Sequence, residues 1–327
     1  MLAIIKTPIL LISLLLATTA CEDVASVSIL ADSNDFLQAT EIENKIDILW
    51  VVDNSGSMGD SQAAVIANFD AFIQDFINNG YDFQIAVITT DAYINGRQDY
   101  KASSGTTIIT QDTENIRDTF ISNINVGVTG SGWEKGMQSL EVALNHAPNQ
   151  TFDFPRSDAF FSVIVVSDEN DSSQEIGGTT YPGANYYLGM LDAIRLGDSI
   201  EGQQNYSINA IVRLPENSGC TSGSNGTRYI ELAEASQGIV ADICGDFADS
   251  LFTITTSIIK LSTQFYLKRE PIIGSIKVSV DGEMIESSET NGWVYEADSN
   301  SILFNGSSVP QQGSKVRVDF DPVSLDD

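Results

Sequence analysis

The sequence predicts an α/β protein in which a doubly wound, mostly parallel sheet is flanked by helices and followed by a small all-β module. Two observations predict this fold class. Four apolar runs of strand length alternate with stretches of helical periodicity between residues 46 and 261. Beyond about residue 263 only short runs remain, separated by Gly, Asp, Asn and Pro. In a doubly wound sheet, ligands bind beyond the carboxyl ends of the strands.

The apolar runs and helical stretches can be assigned in order. The predicted buried strands are 46–52, 83–89, 160–167 and 207–212, and the predicted helices are 60–78, 113–124, 134–145, 186–196, 228–236 and 247–261. The first helix carries Val65, Phe69, Phe72 and Phe76 at helical spacing. Short strands are predicted at 265–267, 275–280, 293–296, 301–304 and 315–320. Strands separated by helices of this length imply right-handed crossovers and a sheet covered on both faces.

Length and charge limit the organisation and the partners. A chain of 327 residues can hold one large domain and a smaller one. We predict a signal segment at 1–21, a tether at 22–44, the α/β domain at 45–263 and the β-rich module at 264–327. The net charge of −29, from 16 basic and 45 acidic residues, disfavours nucleic acid and anionic membrane surfaces as partners.

The first 21 residues have the three-part form of an export signal. Lys6 precedes an apolar stretch at 9–17, and small residues lead to Cys21. A cysteine in this place resembles the lipobox of bacterial lipoproteins, which implies lipidation of Cys21 and attachment to a membrane. Glu22 favours the outer membrane. Thr18 stands where that motif usually has leucine, so an ordinary secretory signal and a secreted or periplasmic protein remain the alternative.

The two other cysteines form an even pair. In an oxidising compartment Cys220 and Cys244 are expected to form a disulfide, which would contribute about 3 kcal/mol on the loop-closure model. Two free buried thiols are the alternative if the chain is not exported.

An unusual oxygen-rich loop follows the first strand. Residues 51–60 read VVDNSGSMGD, which puts side-chain oxygens at alternate positions, on Asp53, Ser55 and Ser57. An Asp-initiated turn with a serine cap explains the spacing without any ligand. Two further features favour a cation site: Asp168 ends the strand 160–167, and a glycine and hydroxyl loop at 127–134 lies between them. In a doubly wound sheet all three loops can meet at one edge.

These motifs resemble those of the von Willebrand factor type A family, whose members carry a metal-ion-dependent adhesion site. Residues 53–58 match its D-x-S-G-S-M signature, and Asp168 matches the acid after a later strand. The resemblance covers about residues 45–262. It implies a cation bound by Asp53, Ser55, Ser57, Asp168 and a third-loop hydroxyl. That hydroxyl is Ser131, where the family has threonine, with Thr129 as the alternative.

The resemblance also implies a way of binding. Hard oxygen donors without His or Cys select Mg²⁺, which we expect here, or Mn²⁺ or Ca²⁺. Two carboxylates balance the charge of the ion, so it retains affinity for one more anionic oxygen. The family takes that oxygen from an acidic side chain of a partner protein. We expect the ligand rim to include Trp133, Glu134, Asn170 and Asp171, although Trp133 could equally pack beneath its own loop.

Sequence motifs favour an adhesion module over an enzyme. His146, the only histidine, is predicted near a helix end, and there is no nucleophile elbow, phosphate loop or H-E-x-x-H motif. The expected function is therefore metal-dependent protein binding by a lipid-anchored protein. The alternatives are a periplasmic scaffold with a structural metal, which binds through the β module, and a metal-assisted hydrolase.

Overall fold

The computed structural model describes residues 36–41, 45–195, 205–216, 220, 223–311 and 313–324. The predicted signal segment with Cys21, and most of the predicted tether, lie outside these ranges. No helix within them combines the length and the apolar character that crossing a membrane requires.

The structure is built from thirteen strands and six α-helices within the described ranges. The strands are β1 (Phe36–Glu41), β2 (Lys45–Val52), β3 (Asp82–Thr89), β4 (Ile109–Thr110), β5 (Phe160–Ser167), β6 (Tyr206–Val212), β7 (Val240–Asp242), β8 (Phe265–Tyr266), β9 (Lys277–Val280), β10 (Glu283–Ile285), β11 (Gly292–Glu296), β12 (Ser301–Asn305) and β13 (Lys315–Phe320). The helices are α1 (Gly59–Asn78), α2 (Ile116–Ile124), α3 (Gly136–Leu144), α4 (Ala184–Arg195), α5 (Thr227–Ala235) and α6 (Phe247–Ser262).

Six of the strands form the central sheet, in the order β4-β3-β2-β5-β6-β7. All neighbours in it are parallel except β4, which pairs antiparallel with β3 at the edge. The four predicted buried strands are present within one residue of their predicted ends. The predicted α/β fold class is therefore confirmed.

Alternate residues of the central strand β2 pack against two different helix layers. Ile48 and Trp50 face a core shared with α1, α2 and α6, where Trp50 contacts Phe72 edge-on. Leu49 and Val51 face the opposite core, shared with α3, α4 and α5. Burial of every β2 residue from Ile46 onward explains why the strand reads as an apolar run, interrupted only by Asp47.

Helix α3 begins two residues later than the sequence pattern predicts. Its first residue is Gly136, whose backbone N–H donates to the Tyr229 hydroxyl at 3.1 Å. A Cβ on residue 136 would lie 2.5 Å from that hydroxyl, so only glycine fits there. Glu134 therefore lies in the loop before the helix, which matters for the site below.

The β-rich module contains two antiparallel sheets, of order β1-β13-β9-β10 and β11-β12-β8. Its core includes Val278, Phe304 and Val318. The sequence interpretation placed residues 36–41 in a tether, but they form β1 and pair with β13. This difference arises because the pairing depends on the open edge of β13, a tertiary feature that local sequence does not encode. Both ends of the described chain thus contribute to the module.

The predicted disulfide is present between Cys220 and Cys244. It joins the segment after β6 to the turn after β7, where the Cys244 N–H donates to Asp242. The bridge therefore ties together two connections that leave the carboxyl edge of the sheet.

Candidate metal centre

The two predicted acids follow neighbouring strands at the point where the sheet changes winding direction. The chain runs from β2 to β3 on one side and later returns to β5 on the other, so the loops after β2 and β5 flank a crevice. Asp53 follows β2, and its N–H donates to the Val166 carbonyl of β5 at 2.9 Å. Asp168 follows β5 directly. The topology therefore brings the two carboxylates to one place.

The first loop turns its three oxygen side chains toward each other. The Ser55 N–H donates to Asp53 Oδ1 at 2.7 Å, which closes a tight turn. The Ser55 and Ser57 hydroxyl oxygens lie 3.3 Å apart. Met58, fully buried in the core, anchors the end of the loop. Asp53 is wholly buried and Ser57 is exposed, so the cluster opens to solvent on the Ser57 side.

The second loop joins this cluster through hydrogen bonds from two serines. The Ser57 hydroxyl donates to Asp168 Oδ1 at 3.1 Å, and the Ser167 hydroxyl donates to Asp53 Oδ2 at 2.6 Å. The Asp168 carbonyl accepts from the Ser224 N–H at 2.9 Å. Asp53, Ser55, Ser57 and Asp168 are thus brought together as the sequence analysis expected.

The third loop is held tightly against the first. Gln62 Nε2 donates to the carbonyls of Asp53 and Gly127, at 3.0 and 2.9 Å. The Gly130 N–H donates to the Asn54 carbonyl at 2.7 Å. A Cβ on residue 130 would lie only 2.3 Å from Asn54 Oδ1, so any larger residue there would displace the Asn54 side chain.

The two candidate hydroxyls of the third loop, on Ser131 and Thr129, have different surroundings. The Ser131 hydroxyl accepts from the Trp133 N–H at 3.0 Å, and the Ser131 N–H donates to Asp91 at 3.1 Å. Thr129 is exposed. Within the part of the chain that the structure describes, neither hydroxyl hydrogen-bonds to Asp53, Ser55, Ser57 or Asp168. Their role as ligands stays a prediction.

Glu134 is the third-loop side chain that faces the cluster. It is 1% exposed, and its Oε2 accepts from the Thr90 hydroxyl. No donor group faces its buried Oε1 among the described residues, and the Glu134 carboxyl lies against the carboxyl of Asp53. The sequence analysis placed Glu134 on an exposed rim. That placement was wrong because helix α3 starts after this residue and leaves its side chain pointing inward.

Burial and neighbouring negative charge raise the pKa values of Glu134 and Asp53. Burial, followed by the charge of Asp53, raises the pKa of Glu134 to about 9, and the hydrogen bond from Thr90 opposes this only in part. Burial is also the main cause that raises the pKa of Asp53, with the charge of Asp168 adding to it. A divalent cation relieves both effects. The all-oxygen donor set and the unpaired Glu134 Oε1 therefore fit Mg²⁺, Mn²⁺ or Ca²⁺.

The raised pKa of Glu134 predicts a pH-dependent stability for the metal-free protein. The folded state retains a proton that the unfolded state releases, so stability falls as pH rises from about 4.5 toward 9. In chelator, we expect the melting temperature to fall between pH 6 and pH 9, and Ca²⁺ to restore it. Glu134→Gln removes this titration and should flatten the curve. An unchanged slope in that variant would contradict the assignment.

The remaining predicted rim residues divide into exposed and buried positions. Trp133 is 69% exposed and therefore lies on the surface rather than beneath its loop. Asn170 is half-buried, and its side chain accepts from the Arg228 N–H at 3.0 Å. Asp171 is buried and accepts from the Ser173 hydroxyl at 2.7 Å, so its predicted rim position was wrong. Burial raises the pKa of Asp171 to about 6.

Sequence reasoning missed the polar residues that follow β3. Thr90 contacts Glu134, and Asp91 accepts from Asn54 Nδ2 at 3.3 Å and pairs with Arg97. A signal was present, because Thr90 and Asp91 follow a buried strand at the same edge of the sheet as Asp53 and Asp168.

Comparisons with known proteins give distant structural likenesses. No family model matches the chain, and no curated protein matches it. The pilus adhesin SpaC from Lactobacillus rhamnosus GG is 12% identical with a TM-score of 0.42, over 88% of this chain and 41% of that chain. Proximal thread matrix protein 1 from the mussel byssus is 12% identical with a TM-score of 0.42, over 71% of this chain and 52% of that chain. Another structure of that mussel protein has a zinc-occupied MIDAS motif. It is 15% identical with a TM-score of 0.39, over 68% of this chain and 47% of that chain.

The chain therefore spans about half, or less, of the length of the structures it matches. Likeness at this level carries no argument about function. The candidate site stands on the contacts described above.

Proposed function

We propose that this chain is an extracytoplasmic protein-binding module of the von Willebrand factor type A kind, which binds its partner through a divalent cation. The cation is held by Asp53, Ser55, Ser57 and Asp168. One observation supports this most strongly: the Ser57 hydroxyl lies within hydrogen-bond distance of Ser55 Oγ and of Asp168 Oδ1. Two loops separated by more than a hundred residues thus present their oxygens to a single point.

The open side of the cluster is the side where a partner would approach. Ser57 and Gly56 are exposed there, and Trp133 is exposed on the third loop. A partner oxygen would complete the coordination sphere of the ion from this side, while Trp133 supplies apolar contact area.

A lipid on Cys21 would attach the protein to a membrane, with the outer membrane as our proposed location. The sequence predicts that the partner oxygen comes from an acidic side chain, and that prediction depends on the charge of the site.

We propose binding rather than catalysis. His146, the only histidine, pairs with Asp99 at 3.0 Å beyond the carboxyl end of α3. The site lies beyond the other end of that nine-residue helix, which is about 13 Å long. His146 is therefore not placed to act as a general base at the cation. Turnover of any ester or phosphoester substrate that disappears in Asp53→Ala would contradict this part of the proposal.

Chelation tests the proposed function directly. The immobilised chain is exposed to an extracellular protein fraction with added Ca²⁺ and Mg²⁺ or with EDTA, and bound proteins are identified by mass spectrometry. We expect partners that are released by EDTA, absent from Asp53→Ala and retained by Asp112→Ala, which changes an exposed acid. Circular dichroism must show that the chain stays folded in EDTA.

The scaffold alternative is supported by the surface of the β module. Ile272, Ile273 and Met284 are each more than half exposed. Ile273 and Met284 line a groove of about 460 Å³ beside Trp293. In the same experiment, a partner that resists EDTA and Asp53→Ala but is lost in Met284→Asp would favour binding through the module and contradict the metal-dependent proposal.

A further inference from the structure

We propose that Glu134 is the third-loop ligand of the cation, so that the site holds three carboxylates and prefers Ca²⁺ to Mg²⁺. This inference rests on the proposed function, because it concerns the same cation. It replaces the expected hydroxyl of Ser131 or Thr129 with a charged group. It also narrows the class of partner that the site can accept.

The first support is the unsatisfied oxygen of Glu134. A buried carboxylate oxygen without a hydrogen bond is costly, so buried polar atoms of this kind call for a specific explanation. Glu134 is 1% exposed, its Oε2 is taken by Thr90, and its Oε1 has no partner among the described residues. The Glu134 carboxyl lies within side-chain hydrogen-bonding reach of the Asp53 carboxyl. A cation bound by both carboxyls would take the place of the proton that Glu134 and Asp53 share in its absence.

The second support is the rigid placement of Glu134. The Glu134 carbonyl accepts from the Ser172 N–H at 2.6 Å, which fixes its backbone to the second loop. The next turn is fixed because Gly136 lies against the Tyr229 hydroxyl. Thr90 holds the side chain from β3. Metal ligands are typically oriented by such surrounding hydrogen bonds.

The third support is the engagement of the competing hydroxyl. Ser131 Oγ already accepts from the Trp133 N–H, and the Ser131 backbone is held by Asp91. Asp91 is itself buried and paired with Arg97. The Ser131 hydroxyl oxygen is thus shared with the Trp133 N–H, whereas no donor group occupies Glu134 Oε1 among the described residues.

Three carboxylates change which ion and which partner the site favours. Mg²⁺ keeps several waters and is usually held by one or two carboxylates, whereas Ca²⁺ accepts six to eight oxygens in flexible geometry. The carboxylates of Asp53, Asp168 and Glu134 together with two serine hydroxyls suit Ca²⁺. The three negative charges exceed the charge of the ion by one, so an anionic partner group is no longer attracted. The partner oxygen is then neutral, such as a carbonyl, amide or hydroxyl.

Calorimetric titration of the purified chain with Ca²⁺ alone and Mg²⁺ alone tests the inference. Glu134→Gln should weaken Ca²⁺ binding by about 10- to 100-fold or more. Losses of about 10- to 100-fold are typical when a residue that only supports a metal ligand is removed. Ser131→Ala and Thr129→Ala should change it less than about 3-fold. Glu134→Thr, which restores a neutral hydroxyl side chain, should reduce the ratio of Ca²⁺ to Mg²⁺ affinity.

The outcomes separate this inference from the proposed function. Strong loss in Ser131→Ala with unchanged binding in Glu134→Gln would overturn the inference while leaving the cation site intact. Failure of the wild type to bind either ion, or binding unaffected by Asp53→Ala, would overturn both. Circular dichroism in EDTA shows whether each variant is folded, and Glu134→Asp, which keeps the charge, should retain more affinity than Glu134→Gln.

Discussion

Asp53→Ala is expected to lower the affinity of the chain for Ca²⁺ and Mg²⁺ by more than about 100-fold, the upper range for loss of an indirect metal contact. Asp53 lies at the centre of the cluster and is wholly buried. Its Oδ1 accepts a hydrogen bond from the Ser55 N–H, and its Oδ2 accepts one from the Ser167 hydroxyl. Its removal deletes a charge and also releases the turn that aims the serines. Isothermal titration of both ions into wild type and variant measures the loss.

The metal-free stability of the same variant provides a control. Burial and the charge of Asp168 raise the pKa of Asp53, so the ionised group is unfavourable in the metal-free fold. We therefore expect Asp53→Asn, which keeps an oxygen for the Ser55 N–H, to be as stable as wild type in EDTA. Asp112→Ala changes an exposed acid and should leave both affinity and stability unchanged. Undiminished ion binding by Asp53→Ala would place the cation elsewhere.

Asp47→Ala is expected to lower the free energy of unfolding by about 3–5 kcal/mol, the range for breaking a buried ion pair. Asp47 lies near the amino end of β2 and is wholly buried. It accepts from Arg156 Nε at 2.9 Å and Nη2 at 2.7 Å. Arg156 Nη1 also pairs with Asp82 at 2.8 Å, but Asp82 is more exposed. The substitution leaves a buried guanidinium without its best partner.

A matched surface pair provides the comparison for Asp47. Asp158 pairs with Lys45 near the same end of the sheet, but about half of its side chain is exposed. Asp158→Ala should therefore cost less than about 1 kcal/mol. Urea unfolding measures both variants. Equal losses in the free energy of unfolding for the two variants would contradict the view that burial determines the strength of the Asp47 pair. Asp47→Ala should leave the affinity for the cation unchanged, because Asp47 lies at the opposite end of the sheet.

The sequence was sufficient to predict the parts of the fold that depend on local pattern. Strands β2, β3, β5 and β6 are buried on both faces, so their apolar runs are unmistakable. The D-x-S-x-S loop was also predictable because its turn is closed within three residues, by the Ser55 N–H and Asp53. The meeting of Asp53 and Asp168 was expected because both follow strands of one doubly wound sheet, whose carboxyl ends share an edge.

Features that depend on distant contacts could not be predicted in this way. The start of α3 is set by Tyr229, 93 residues further along the chain, and this contact decides that Glu134 faces inward. The pairing of β1 depends on the edge of β13. Asp171 belongs to an acidic run typical of a solvated loop, yet it is buried against Ser173 and the backbone of Met137. In each case a tertiary contact overrides the local pattern.

The position of a bound cation tests the central claim most directly. In crystals grown with Mn²⁺, anomalous diffraction locates the ion independently of any assumed ligand. We predict one strong peak among the three loops, at about 2.0–2.6 Å from the Ser55 and Ser57 hydroxyls and from a Glu134 oxygen, with Asp53 and Asp168 bound directly or through one water. An ion bound elsewhere on the chain, or no ion between Asp53 and Asp168 at saturating Mn²⁺, would contradict this account.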